Sequence, residues 1–87
     1  MNAKEIKTFK KHCKVGDELS FIISSKGNDS KHYAGIITDI TETKVCLKNI
    51  VDMDLYDALN HPETLEIYLS TIYCFWNRTN GFGLEID

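Results

Sequence analysis

From Leu19 onward the apolar residues fall on every second position in short segments: Leu19, Phe21 and Ile23, then Val45 and Leu47, then Leu65, Ile67 and Leu69. Alternation of this kind places one set of side chains on one face only if the chain is extended, so the pattern calls for strands with a buried side. A strand cannot bury that side alone. The segments must therefore share a sheet, and a chain of 87 residues leaves room for one core beneath it. A single domain over residues 1–87 is expected, with strands over 17–49 and again over 64–87.

Two stretches depart from the alternation. In Asn2 to Lys14, Ile6, Phe9 and Cys13 recur at spacings of three and four, which is one face of a helix over 2–14. Lys4, Lys7, Lys11 and Lys14 gather on an adjoining face, and Val15-Gly16-Asp17 ends the helix. The insert over 50–63 has no period of two. Asp52 or Asp54 is placed to cap a short helix presenting Leu55, Ala58 and Leu59 and ending near Asn60-His61-Pro62.

The strand from His32 to Ile40 carries apolar residues on both faces, with Ala34, Ile36 and Ile40 on one side and Tyr33, Gly35 and Ile37 on the other, so it is central, and Gly35 marks a bend. Residues 25–30 form a polar loop before it, and Thr41-Glu42-Thr43 a turn after it. At the C-terminal end, Tyr73 to Asn77 reads as a strand, and Asn80-Gly81 before Phe82-Gly83-Leu84-Glu85-Ile86 is the signature of a two-residue hairpin turn. The fold class is mainly β with minor α: a small bent or partly closed barrel of about five or six strands, an N-terminal helix and a short helical insert.

The segment Tyr33-Ala34-Gly35-Ile36-Ile37-Thr38-Asp39-Ile40, its turn, and Val45-Cys46-Leu47 resemble the middle hairpin of SH3-like small barrels of the Sm and Lsm type. The helix that precedes the strands is also similar to the Sm arrangement. This resemblance implies an SH3-like barrel. Sm proteins place an Asp and an Asn in the loop after the glycine-bearing strand to shape a pocket for a base; here the turn is Thr41-Glu42-Thr43-Lys44, without that RNA-binding signature.

No chemistry-bearing motif stands out. Cys13, Cys46 and Cys74 are odd in number and far apart, which suits inert thiols in a reducing, cytoplasmic setting and not a disulfide framework or a zinc site. Asp52, Asp54 and Asp57 lack the glycine and distal Glu of a calcium loop and are read as helix-capping and solvated residues. No catalytic residue, cofactor or metal is expected. Asn28-Asp29-Ser30 and Asn77-Arg78-Thr79 match the glycosylation pattern and are read as turn residues. The N-terminus lacks the apolar stretch of a secretory signal, and no apolar run is long enough to span a membrane.

Two functional readings remain. Tyr68, Tyr73, Phe75, Trp76 and Phe82 crowd the last twenty residues, and alternation prevents Phe75 and Trp76 from facing the same way. With Tyr73, Phe75, Trp76 and Phe82 as partner-binding candidates, the chain is a non-catalytic interaction module that binds a protein partner or itself, a homodimer being simplest. The alternative is a regulator binding RNA or single-stranded DNA in the Sm-like manner, with Lys4, Lys7, Lys11 and Lys14 on phosphates. Residues 1–15 carry five lysines against one Glu, a charge of +4, while the rest of the chain carries −7. An acidic body confines nucleic acid to that segment or a local patch.

Overall fold

Asn2 sets where the first element begins. A computed structural model describes residues 1–24, 30–52, 57–58 and 64–84, and in it the Glu5 N–H donates to Asn2 Oδ1 at 2.9 Å while the Asn2 N–H donates to Glu5 Oε1 at 2.8 Å. This reciprocal pair satisfies two donors that a helix start leaves open. Helix α1 runs Ala3–His12. It ends before Lys14 because Cys13 is already extended and Gly16 turns the chain with φ of 96°, in the left-handed region that glycine tolerates. The stop turn is then bound to the sheet, Gly16 N–H donating to Ile37 O at 2.8 Å and Ile37 N–H to Asp17 O at 2.9 Å.

The strands are β1 (Glu18–Ser24), β2 (Ser30–Ile40), β3 (Lys44–Asp52), β4 (Asp57–Ala58), β5 (Thr64–Tyr68), β6 (Ile72–Asn77) and β7 (Gly83–Leu84). All pair antiparallel in one sheet of order β4-β3-β2-β1-β6-β7, and β5 lies beside the first half of β3 where β4 lies beside its end. A 3-10 turn, Leu69–Thr71, carries the chain from β5 to β6 and is anchored by Leu69 N–H donating to Thr43 O. The fold is mainly β with an N-terminal helix, and β2 is central. Among the described residues the sheet does not close on itself. Among the described residues no helix is long and apolar enough to cross a membrane.

Alternation predicted the inward residues of three strands. Leu19 and Phe21 of β1 and Val45 and Leu47 of β3 are fully buried, Ile67 of β5 is buried, and Phe9 of α1 and Cys13 just after it close the same core. Burying side chains of this size contributes about 1.5–3 kcal/mol each. Ile40 is where the parity fails. It was expected on the face of Ala34 and Ile36, yet it packs against the core with Ile37. The register explains the change: Ile37 pairs with Leu47 but Asp39 pairs with Cys46, so Thr38 is an extra residue in β2 and every residue after it changes face.

A second bulge lies opposite Gly35. Ala34 pairs with Val51 and Ile36 with Lys48, so Asn49 and Ile50 together face Gly35. Asn49 takes a left-handed φ of 54°, and Ile50 drops into the core three residues after Leu47. The expected bend at Gly35 has this close approach as its cause. A Cβ on Gly35 would stand 2.7 Å from Ile50 Cδ1 and 3.0 Å from the Lys48 carbonyl oxygen.

The insert differs from its reading. β3 runs on to Asp52, and residues 57–58, placed in a helix by the sequence reading, form a two-residue strand against Val51 and Asp52. The open edge of β3 offers those residues backbone partners, which outweighs the weak helix preference of so short a segment. Residues 53–56 and 59–63, and with them the expected cap at Asp54 and the expected end at Asn60-His61-Pro62, lie outside the described residues, as does the loop over 25–29.

Gly35→Val should destabilise the protein by about 1–3 kcal/mol, because a carbonyl oxygen and a packed isoleucine methyl both stand in its way. Chemical denaturation reads this directly, and an unchanged midpoint would show that the hairpin can open at the bulge at no cost.

Candidate interaction surface

Phe75 and Trp76 divide between the two faces of β6. Phe75 pairs with Phe21 across β1, is fully buried and meets Phe9 edge to face at 5.0 Å. Trp76 pairs with Ser20 on the outer face and is half-buried. Phe75 is thus a core residue with no surface to offer a partner. Between Cys74 and Ile72 the register with β1 shifts by one, leaving Tyr73 as a bulge, 45% exposed and apart from the Trp76 row.

The row that contains Trp76 crosses the sheet from Gly83 through Ser20 and Ala34 to Val51. The indole lies against β7 so closely that a Cβ on Gly83 would stand 2.6 Å from Trp76 Cδ1. His32 approaches from the other side, its ring 5.9 Å from the indole and its Nε2 2.6 Å from Ser20 Oγ. Ser20 and His32 were not singled out in the sequence. No signal there separates an outward Ser and His that meet from two that do not, since their contact depends on the β1–β2 register. Among the described residues the Trp76 indole N–H makes no hydrogen bond, although buried tryptophans usually supply that group with an acceptor. On the same face a shallow cleft of about 240 Å³ lies among Glu18, Ala34, Gly35, Ile36, Asn49 and Val51.

The last residue of β6 holds this arrangement in place. Asn77 is 1% exposed and uses its whole side-chain capacity: Nδ2 donates to His12 O at 3.0 Å and to Asp17 Oδ2 at 2.8 Å, while Oδ1 accepts from the N–H groups of Thr79 and Asn80. The end of α1, the entry to β1 and the turn after β6 are joined in one amide. Its burial and these bonds also explain why the Asn77-Arg78-Thr79 pattern is structural. An Asn on the inward parity of Phe75 is the sequence signal for such a residue, because a polar side chain at a core position needs partners.

The hairpin that follows is longer than the sequence implied. Asn77 N–H donates to Phe82 O and Gly81 N–H to Asn77 O, so residues 78–81 form a four-residue loop and not the two-residue turn expected at Asn80-Gly81. Gly81 has φ of 81°, but Asn80 is not left-handed as that turn requires. The Asn77 carboxamide, with Thr79 and Asn80 bonded to it, imposes the wider loop. Phe82 is drawn inward, its ring stacked on His12 at 3.7 Å, and is spent on internal packing.

Lys4, Lys7 and Lys11 are exposed along α1. Lys14, expected on the same helical face, lies beyond the helix in the turn, where its backbone N–H donates to Asp17 Oδ2. No side chain of these four makes an ion pair among the described residues, unlike Lys44, whose Nζ meets Glu66 at 2.8 Å and lies over the Tyr68 ring. Burial pushes the Cys13 thiol up to about 11, with the neighbouring Asn77 amide opposing it and Asp17 adding to it. Loss of solvation also raises the Cys46 thiol, with Glu66 and Asp39 adding to it. Both are free and poorly ionised. Among the described residues no cluster of three or more His, Cys, Asp or Glu side chains is arranged to hold a metal ion.

Comparison of the chain with protein-family models, with curated proteins and with solved structures yields no match.

Asn77→Ala should cost about 2–4 kcal/mol, since it leaves the Thr79 and Asn80 donors and the Asp17 carboxylate without their partner; a loss below 1 kcal/mol in urea unfolding would show that water replaces the amide. The Cys13 thiol gives a pH signature. Its folded value lies above the ordinary 9.0, so stability is full below pH 9.0 and falls as the pH rises toward about 11, where only the unfolded thiol ionises readily. The drop should shrink in Cys13→Ala, and equal alkaline slopes in the two proteins would remove this thiol as the cause.

Proposed function

We propose that the protein is a non-catalytic interaction module that pairs with a second copy of itself through its C-terminal third. One observation carries this reading: Trp76 lies partly exposed across edge strand β7 with its indole N–H unpartnered among the described residues. An aromatic ring with an open donor beside a sheet edge offers apolar area and a hydrogen bond together, as interface anchors do. A two-fold axis beside β7 would bring both rings into one contact. The order of elements, a helix, a bent meander, a 3-10 turn and a strand returning to β1, supports an SH3-like, Sm-like barrel as its scaffold. Free thiols at Cys13 and Cys46 suit a reducing cytoplasm.

A specific observation favours the second reading, binding of single-stranded nucleic acid: Lys4, Lys7, Lys11 and Lys14 are exposed and make no ion pair among the described residues. Self-association is the stronger reading, because the aromatics that would stack on bases are reduced to Trp76 and the exposed tyrosines once Phe75 and Phe82 are committed to the interior.

Sedimentation equilibrium separates the two. The protein should form a dimer at micromolar concentration, and Trp76→Glu should weaken it by roughly a hundredfold, a typical cost for a central aromatic anchor, while the thermal midpoint stays close to that of the parent. A compact monomer at high micromolar concentration that binds single-stranded RNA with a steep salt dependence would replace this reading with the second.

A further inference from the structure

We propose that the Asn80-Gly81 bond is a latent deamidation site, held unreactive by the fold, whose reaction releases strand β7. The chemistry belongs to the dipeptide. The Gly81 backbone nitrogen attacks Asn80 Cγ, the Cγ–Nδ2 bond breaks, and ammonia leaves with the proton that the nitrogen loses. Water then opens the succinimide ring at either carbonyl, giving aspartate or isoaspartate at position 80. Glycine offers no side chain to hinder the attack, and Asn80 is exposed to the water and hydroxide the reaction needs.

In the folded chain each reacting group is engaged. Gly81 N–H, the nucleophile, donates to Asn77 O at 2.8 Å; Asn80 Nδ2, the leaving group, donates to His12 O at 2.8 Å; and Asn80 Oδ1 accepts from Phe82 N–H at 2.9 Å. These contacts do not all act in one direction. The Phe82 N–H draws electron density from Cγ and favours attack. The bond at Gly81 opposes it, and this effect decides the outcome, because the nitrogen must give up its proton and turn toward Cγ to attack, and its N–H is held on Asn77 O. Reaction therefore requires local opening of the β6–β7 hairpin, the outermost element of the sheet among the described residues, where Phe75 pairs with Leu84 and Trp76 with Gly83.

The product cannot return to the same place. A carboxylate at position 80 offers no donor to the His12 carbonyl and sets negative charge against it, at the negative end of α1. Isoaspartate also adds a backbone atom to a loop whose ends are fixed by Asn77 N–H on Phe82 O. Either change detaches Phe82 from His12 and uncovers the Trp76 indole. The inference stands on the loop alone and is independent of self-association.

The test compares ammonia release and isoaspartate content in the folded protein and in a peptide of residues 75–84, in the same mildly alkaline buffer. The folded protein should react at least roughly tenfold more slowly, and its rate should climb towards that of the peptide in denaturant below the global unfolding midpoint. Equal rates for protein and peptide would overturn the protection. In Asn80→Asp, which reproduces one product, hydrogen exchange at the Asn77 and Phe82 amides should accelerate by roughly tenfold. Unchanged exchange there would overturn the release of β7, and the rate comparison holds whether or not the variant folds.

Discussion

One buried carboxamide joins three parts of the chain at a single point. Asn77 lies at the end of β6, on the face of the sheet that α1 covers, and its four hydrogen bonds reach the last carbonyl of α1, the carboxylate before β1 and two amides of the loop that follows. A buried primary amide is costly unless both of its donors and its acceptor are used, and here all are. That requirement makes the joint specific. A hydrophobic residue would fill the same volume but would leave the end of α1 and the entry to β1 to find their own relation. The core residues supply most of the driving force; the amide decides how helix and sheet are set against each other.

From this joint follows the division of labour between the two faces. Phe75 is drawn under α1 with Phe9 and Phe21, and Phe82 follows when the wide loop brings it against His12. Trp76 is then left on the opposite side, in a row of small residues, Gly83, Ser20 and Ala34, over which its ring can lie flat. The surface is thus shaped by the interior. Its large ring is outside because its neighbour in sequence is inside.

The strands were legible wherever alternation ran uninterrupted, as with Leu19, Phe21 and Ile23 or Val45 and Leu47, because the period of two is a property of the extended chain itself. It was not legible across Thr38, Asn49 or Tyr73, where one residue more on one strand than on its partner reverses the parity. Such bulges are set by the partner strand, so a single segment holds no record of them. The loop at Asn80-Gly81 misled for a related reason: its dipeptide favours a tight turn locally, and the Asn77 side chain, a tertiary feature, widens it. The partition of Phe75 and Trp76 followed from alternation only as an either-or, which α1 resolved. The meeting of Ser20 with His32 had no trace in the sequence.

The two irregularities of the β2–β3 hairpin bear a relation to each other that neither has alone. Near the turn, Ile40 faces Val45; between the irregularities the partners are offset by one; and beyond Gly35 the original alignment returns, with Tyr33 facing Asp52. Thr38 and Asn49 behave as a frameshift and its suppressor, one extra residue on each strand. A sequence that lost either alone would carry the shift through to the end of the hairpin and turn its far residues to the wrong side. One that lost both would keep the alignment at each end and give up only the bend. Homologous chains should therefore gain or lose these two positions together, and length variation in this hairpin should come in pairs.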